Sequence, residues 1–238
     1  MNEYSHLIND YLSVNPNIRN CGFRVLSAEN LNRALHNLTP FESPDMYAEL
    51  EDMIVILEHF EFDASHTKKR SMSGKKAEME LEEKIQSSPT DNFFHVDKVE
   101  YKISLREWQN NFERCFMKHY GKIDAYKKRI NAQVGGKDRR LLVGFLMEDQ
   151  YPPYLRKNDK EIGAIPYVCT SQFVDVFNTC PDVDFVLYAY WAGEPEVIYL
   201  DHSTVEFAER KIDLTDSAVT LSKCNDNEVV MYGAFVED

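Results

Sequence analysis

Apolar and polar positions alternate along several short stretches of the chain. In "ILEHFEFDAS", Ile56 to Ser65, a β-strand would turn successive side chains to opposite faces. His59, Glu61 and Asp63 then share one face, and Glu58, Phe60 and Phe62 share the other. "FHVDKVEYKIS" alternates in the same way, with Val99, Tyr101 and Ile103 opposite Lys98, Glu100, Lys102 and Ser104. "RLLVGFLMED" reads as a buried strand, and "DFVLYAYW" and "EVIYLDH" flank "AGEP" as a hairpin. "SAVTLS" and "EVVMYGAFVE" supply two more strands near the C-terminus.

Other stretches carry the helical period. Trp108, Phe112, Cys115, Phe116, Tyr120, Ile123, Tyr126 and Ile130 recur at close to 3.6 residues, behind an S-x-x-E capping box at Ser104 and Glu107. Gly135-Gly136 stops that helix, and His119 beside its stripe reads as a packed core-edge histidine. "HLINDYL" and "LNRALHNL", the latter capped by Ser27, are short amphipathic helices. "DMYAELEDM" reads as a helix running directly into the strand "IVILEHFEFD", and a helix continuous to Leu57 also fits. "ASHTKKRSMSGKK" reads as a mobile loop, "AEMELEEKI" as a short charged helix and "QYPPYLRKNDKEIGAIP" as a Pro-rich loop. "TSQFVDVFNTC" is a short helix capped by Thr170 or Ser171. The order predicts an α/β (α+β) fold. A mixed central sheet is flanked by helices, with a β-rich C-terminal part. All of residues 1–238 form one domain with an N-terminal helical segment over 1–40.

Composition supports a packed core: 43% of the 238 residues are hydrophobic and 12% aromatic. The five cysteines are spread widely with no C-x-x-C, so neither a disulfide framework nor a structural zinc site is indicated. The first residues lack the basic start and apolar run of a signal peptide, and no segment has the length of apolar residues a membrane span needs. A reduced, soluble, cytoplasmic protein with no membrane partner is expected.

The net charge is −13, and it is unevenly placed. Residues 41–63 hold eight acids and no Lys or Arg, whereas residues 118–140 hold eight bases against two acids. "HTKKRSMSGKK" adds Lys68, Lys69, Arg70, Lys75 and Lys76 with no acid. The overall excess argues against non-specific nucleic-acid affinity, which rests on phosphate contacts. The local basic segments leave open a nucleic-acid partner delivered to an acidic site, and solvated faces explain the same runs.

Sites in open α/β sheets gather at the carboxyl ends of strands. Asp63, Glu148-Asp149 and Asp201-His202 each follow such a strand. Where these strands are parallel neighbours, the carboxylates converge and need a cation, because like charges raise one another's pKa. Oxygen ligands select Mg²⁺ or Mn²⁺. With His59 as a further ligand, Mn²⁺, Fe²⁺ or Zn²⁺ would suit better. Serine-hydrolase, P-loop and dinucleotide signatures are absent.

The succession of Glu49 or Glu51, then Asp63, then Glu100 and Lys102 in "VEYKIS", then a long helix, resembles the PD-(D/E)XK nuclease superfamily over about residues 45–148. The resemblance implies Asp63 and Glu100 as ligands of Mg²⁺ and Lys102 as the group that orients or activates water. It implies Glu49 or Glu51, placed on the first helix, as support for the metal or its water. It departs in having no Pro before Asp63 and thirty-six residues between Asp63 and Glu100. The expected function is a metal-dependent phosphodiesterase of nuclease type, with Glu61, His59, Glu148 and Asp149 as further candidate ligands. The Lys68–Lys76 segment would then grip substrate. Two alternatives stay open: a non-catalytic interaction protein with an acidic, aromatic-rich partner or homodimer surface, and a metal enzyme built on Asp63, Glu148, Asp149 and His202.

Overall fold

The computed structural model describes residues 17–20, 25–62, 99–102, 105–135, 139–149, 153–157, 160–164, 168, 170–191, 195–202 and 219–223. Two sheets and four helices organise them. The larger sheet has seven strands in the order β1-β10-β9-β6-β4-β3-β2. These are β1 (Asn17–Asn20), β2 (Thr39–Pro40), β3 (Met46–Glu49), β4 (Met53–Phe62), β6 (Arg140–Asp149), β9 (Phe185–Trp191) and β10 (Pro195–Asp201). The smaller sheet orders β5 (Val99–Lys102), β11 (Val219–Lys223), β7 (Pro153–Lys157) and β8 (Lys160–Ala164) as β5-β11-β7-β8. The mixed sheet with flanking helices is the α+β class that the sequence predicts.

At the centre of the larger sheet, β4, β6 and β9 run parallel. Parallel neighbours need long crossovers. Between β4 and β6 the chain forms α2 (Leu105–Tyr120) and α3 (Ile123–Val134), and between β6 and β9 it forms α4 (Ser171–Asn178). These helices cover one face, where Ile54, Ile56, Phe60 and Phe62 of β4 meet Phe112, Phe116, Tyr126, Ile130, Phe173 and Phe177. The other face, with Val55 and Leu57 of β4, packs against α1 (Ala28–His36) through Leu31 and Ala34. The central strands are buried on both faces and therefore read as nearly continuous apolar runs.

Local signals hold where they depend on neighbouring residues. Ser27 caps α1 by accepting from the Asn30 amide at 3.1 Å, and Thr170, buried, caps α4 by accepting from Phe173 N at 3.3 Å. Gly135 ends α3 with φ +67°, a left-handed conformation that glycine adopts without a Cβ clash. The β9–β10 hairpin pairs Pro195 with Trp191 as expected.

Four elements differ from the sequence reading. "MYAE" is strand β3 and not a helix. Met46 and Ala48 are buried while Glu49 is exposed, and β3 pairs antiparallel with β4 from Met46↔Leu57 to Glu49↔Ile54. The expected long helix breaks at Gly121-Lys122, where Gly121 N donates to Met117 O and Lys122 N to His119 O. Within the Pro-rich stretch read as a loop, β7 and β8 pair as a hairpin. Asn17–Asn20, inside the segment read as helical, is a strand parallel to β10. The expected helices at "HLINDYL" and "AEMELEEKI", the basic loop and the last strand lie outside the described residues.

Candidate functional site at the carboxyl edge of the parallel strands

The parallel register of β4 and β6 sets the geometry of this edge. His59 aligns with Leu146, Glu61 with Glu148 and Phe62 with Asp149. Aligned residues of parallel neighbours point to the same face, so His59, Glu61 and Glu148 share the face packed by α1. His59 Nε2 lies 3.4 Å from Glu148 Oε2, with both side chains largely buried, whereas Glu61 is exposed. The backbone N–H of His59 donates to Asp45 Oδ2 at 2.8 Å. Asp63 is the next residue after Phe62 and lies outside the described residues.

Glu58, Phe60, Phe62 and Asp149 point to the helical face. Asp149 is buried and accepts a hydrogen bond from the Tyr188 hydroxyl. Glu58 is the hub of a larger network. Its Oε1 lies 2.8 Å from His119 Nδ1 and 3.7 Å from Lys122 Nζ, and it accepts a hydrogen bond from the Tyr126 hydroxyl. The Phe60 ring stacks on the His119 imidazole with centroids 4.3 Å apart. His119 is thus the packed core-edge residue that the helical stripe predicted.

The electrostatics of this network follow from burial and partners. Burial alone would push the Glu58 carboxyl up. The hydrogen bonds from His119 and Tyr126, with the charges of His119 and Lys122, outweigh it and hold Glu58 below its ordinary value. Asp45 moves the other way, raised by burial and by the nearby Glu58 charge. The Tyr126 hydroxyl is pushed well up by burial and by its bond to Glu58. The alternation placed Glu58 on the face of Phe60 and Phe62 without identifying its partners. It missed Asp45, Tyr126 and Lys122, whose convergence depends on tertiary packing.

Several expected roles change once the elements are placed. Glu49 ends strand β3 and pairs with Arg139 Nη2 at 2.8 Å, and Glu51 is exposed in the turn between β3 and β4, so neither lies on a helix. Asp201 and His202 end β10, which runs antiparallel to β9, so they lie at the opposite edge of the sheet from Glu148 and Asp149. There Asp201, fully buried, accepts from the Val25 amide at 3.1 Å and the Tyr199 hydroxyl at 3.0 Å. His202 stacks on Phe177 with centroids 4.1 Å apart. A site joining Asp63, Glu148, Asp149 and His202 is therefore corrected: the antiparallel hairpin separates His202 from the other end of the sheet.

Glu100 and Lys102 lie on β5, which pairs with β11 in the smaller sheet. In the chain, Pro153 of β7 follows Asp149 by four positions, and within the smaller sheet Tyr101 pairs with Leu221, which pairs with Pro153. Lys68, Lys69, Arg70, Lys75 and Lys76 lie outside the described residues. Among the described residues, no group of three or more His, Cys, Asp or Glu side chains is arranged to hold a metal ion. The described carboxylates at this edge, Glu61 and Glu148, offer oxygen donors of the kind Mg²⁺ or Mn²⁺ takes. Among the described residues, no helix is long and apolar enough to cross a membrane. No protein-family model, no curated protein and no solved structure matches the chain.

Proposed function

We propose that the chain is a divalent-ion-dependent phosphoester hydrolase of nuclease type, working at the carboxyl edge of β4 and β6. One observation carries this reading: the parallel register sets Glu61 beside Glu148, with His59 against Glu148, at the strand ends where α/β sheets bind ligands. Asp63 follows Phe62 in the sequence. The strand bearing Glu100 and Lys102 belongs to the smaller sheet, two strands or about 10 Å from β7, which follows β6 in the chain.

In this reading Glu61, Asp63 and Glu148 hold Mg²⁺ or Mn²⁺, and His59 keeps Glu148 oriented from behind. The bound ion would polarise a phosphoryl oxygen and acidify a water. Lys102 stabilises negative charge developing on the phosphoryl group. The test is hydrolysis of bis(4-nitrophenyl) phosphate with Mn²⁺, with Mg²⁺ and with EDTA. Turnover with the ions, abolished by EDTA and by Asp63→Asn, supports the reading. Ion-independent turnover, or none, sinks it.

A second reading, a non-catalytic interaction protein, is favoured by the structural work that the buried acids do. Glu58 is held by His119 and Tyr126, Asp149 by Tyr188 and Asp201 by Val25 and Tyr199. It predicts an Asp63→Asn chain that folds and binds its partner like wild type, with no ion-dependent turnover in either.

A further inference from the structure

His36, His119 and His202 are each held through one ring nitrogen, and they differ in what holds it. His36 Nδ1 lies 2.8 Å from the backbone oxygen of Asn32, and His202 Nε2 lies 2.9 Å from that of Val183. His119 Nδ1 instead faces a side-chain carboxylate, Glu58 Oε1, at 2.8 Å. His59 also meets a carboxylate, that of Glu148, but only 3% of its side chain is accessible. Burial works against the Glu58 charge, yet the bonds from His119 and Tyr126 hold its carboxyl below the ordinary value, so it is ionised at neutral pH. An ionised carboxylate only accepts. His119 Nδ1 therefore carries a proton, and the neutral ring has its lone pair on Nε2.

The surroundings fix how that ring is presented. The Phe60 ring lies almost parallel to the imidazole, with centroids 4.3 Å and planes 12° apart. One face of the imidazole is covered and Nδ1 is pinned, which leaves the Nε2 edge as the reactive position. The His119 side chain is 12% accessible, and Nε2 has no hydrogen-bond partner among the described residues. Since no hydroxyl or thiol of those residues is bonded to Nε2, the ring has no neighbouring side chain to activate. Its own lone pair is the nucleophile. A bond formed at Nε2 puts positive charge on the ring, and the Glu58 carboxylate stabilises that charge as it develops. Lys122 Nζ, 3.7 Å from the same carboxylate oxygen and 45% accessible, adds a cation that favours an anionic electrophile over a neutral one.

We propose that His119 is a phosphoryl-acceptor site, its Nε2 taking a phosphoryl group from a small activated donor whose leaving group departs as ammonia or a carboxylate. The Nε2 lone pair forms the N–P bond. The bond from phosphorus to the leaving group breaks, and its electron pair goes to that group. The Nδ1 proton stays between the ring and Glu58. The site lies on the helical face of β4, and His59, Glu61 and Glu148 lie on the other, so it stands apart from the ion-dependent reading and survives that reading's failure.

Reaction of the full chain with phosphoramidate in EDTA tests it, with the phosphoryl adduct on each histidine located and timed by mass spectrometry. In the folded chain His119 is modified before His36, although His36 is the more exposed. In urea the two react alike. Glu58→Gln keeps an acceptor for the imidazole and for Tyr126 but removes the charge. It slows modification of His119 about tenfold, the factor that separates a charged from a neutral hydrogen bond, and leaves His36 unchanged. Urea unfolding checks that this variant folds, and if it does not, the order of His119 and His36 in wild type decides alone. No adduct at His119, His36 reacting first or equally fast in the folded chain, or an unchanged His119 rate in folded Glu58→Gln would overturn the proposal.

Discussion

Glu58 and His119 join the central strand to the helical layer: His119 Nδ1 lies 2.8 Å from Glu58 Oε1 in a largely buried setting. The Tyr126 hydroxyl donates to the same oxygen. Removing the carboxylate strands a buried phenol and an imidazole, and groups left without partners cost more than the bond itself contributes. Glu58→Ala should lower the unfolding free energy by about 3 kcal/mol. Tyr126→Phe should cost about 1 kcal/mol. Urea unfolding at neutral pH measures both, and equal small effects would show that the network is not structural.

The same network sets an acid limb of stability. Glu58 ionises below its ordinary value of 4.5 in the folded chain, so its contribution is complete above that value. It is lost as pH falls through the lower, folded value. Asp45, raised above 3.8, has the opposite sign: its contribution is complete below that value and lost as pH rises through the folded one. Glu58→Gln should therefore flatten the fall in stability on acidification, and Asp45→Asn should steepen it. Urea midpoints between about pH 3 and 7 give the comparison.

The elements that the sequence showed well are those decided locally. Ser27 and Thr170 cap their helices, Gly135 stops α3, and "LLVGFLM" is apolar enough to be a strand buried on both faces. The helical reading of "DMYAELEDM" fails for a physical reason. Met46, Leu50, Met53 and Leu57 fit a helical spacing, while Met46 and Ala48 fit a strand. Pairing with β4 decides between them, and that partner lies beyond a local window. "KNDK" held a usable signal, because two turn-favouring residue types, Asn and Asp, stand in the sequence between Lys157 and Lys160, which pair across β7 and β8. At the candidate site, the alternation of "EHFEF" correctly divided His59 and Glu61 from Glu58. The convergence of His119, Lys122 and Tyr126 on Glu58 depends on how α2, α3 and the break between them pack on β4, and that of Asp45 on the β3–β4 pairing, so neither had a local signature.

Gly144 is fixed by its neighbour on β9. A Cβ there would sit 2.2 Å from Cζ of the buried Phe185 ring. Gly144→Ala should destabilise by about 1–3 kcal/mol through overpacking. Adding Phe185→Leu should recover part of that loss, a non-additivity that a double-mutant cycle measures directly.

Asp201 is structural and lies at the opposite end of the strands from Glu148. Its Oδ2 accepts from both Val25 N and the Tyr199 hydroxyl. Asp201→Ala should cost about 2–3 kcal/mol by leaving two donors unanswered, and Asp201→Asn, which keeps an acceptor, should cost less. Thermal unfolding of the two variants ranks them. The reverse order would mean that the charge, and not the acceptor, is what this position supplies.

The proposed function stands on a divalent ion held at the carboxyl edge of β4 and β6. Calorimetric titration of Mn²⁺ into wild type, Asp63→Asn and Glu148→Gln tests it without requiring turnover. The account predicts a saturable single-site isotherm for wild type that disappears in both variants while their urea unfolding curves stay close to wild type. An isotherm that survives both substitutions, or no saturable heat in wild type, would contradict it.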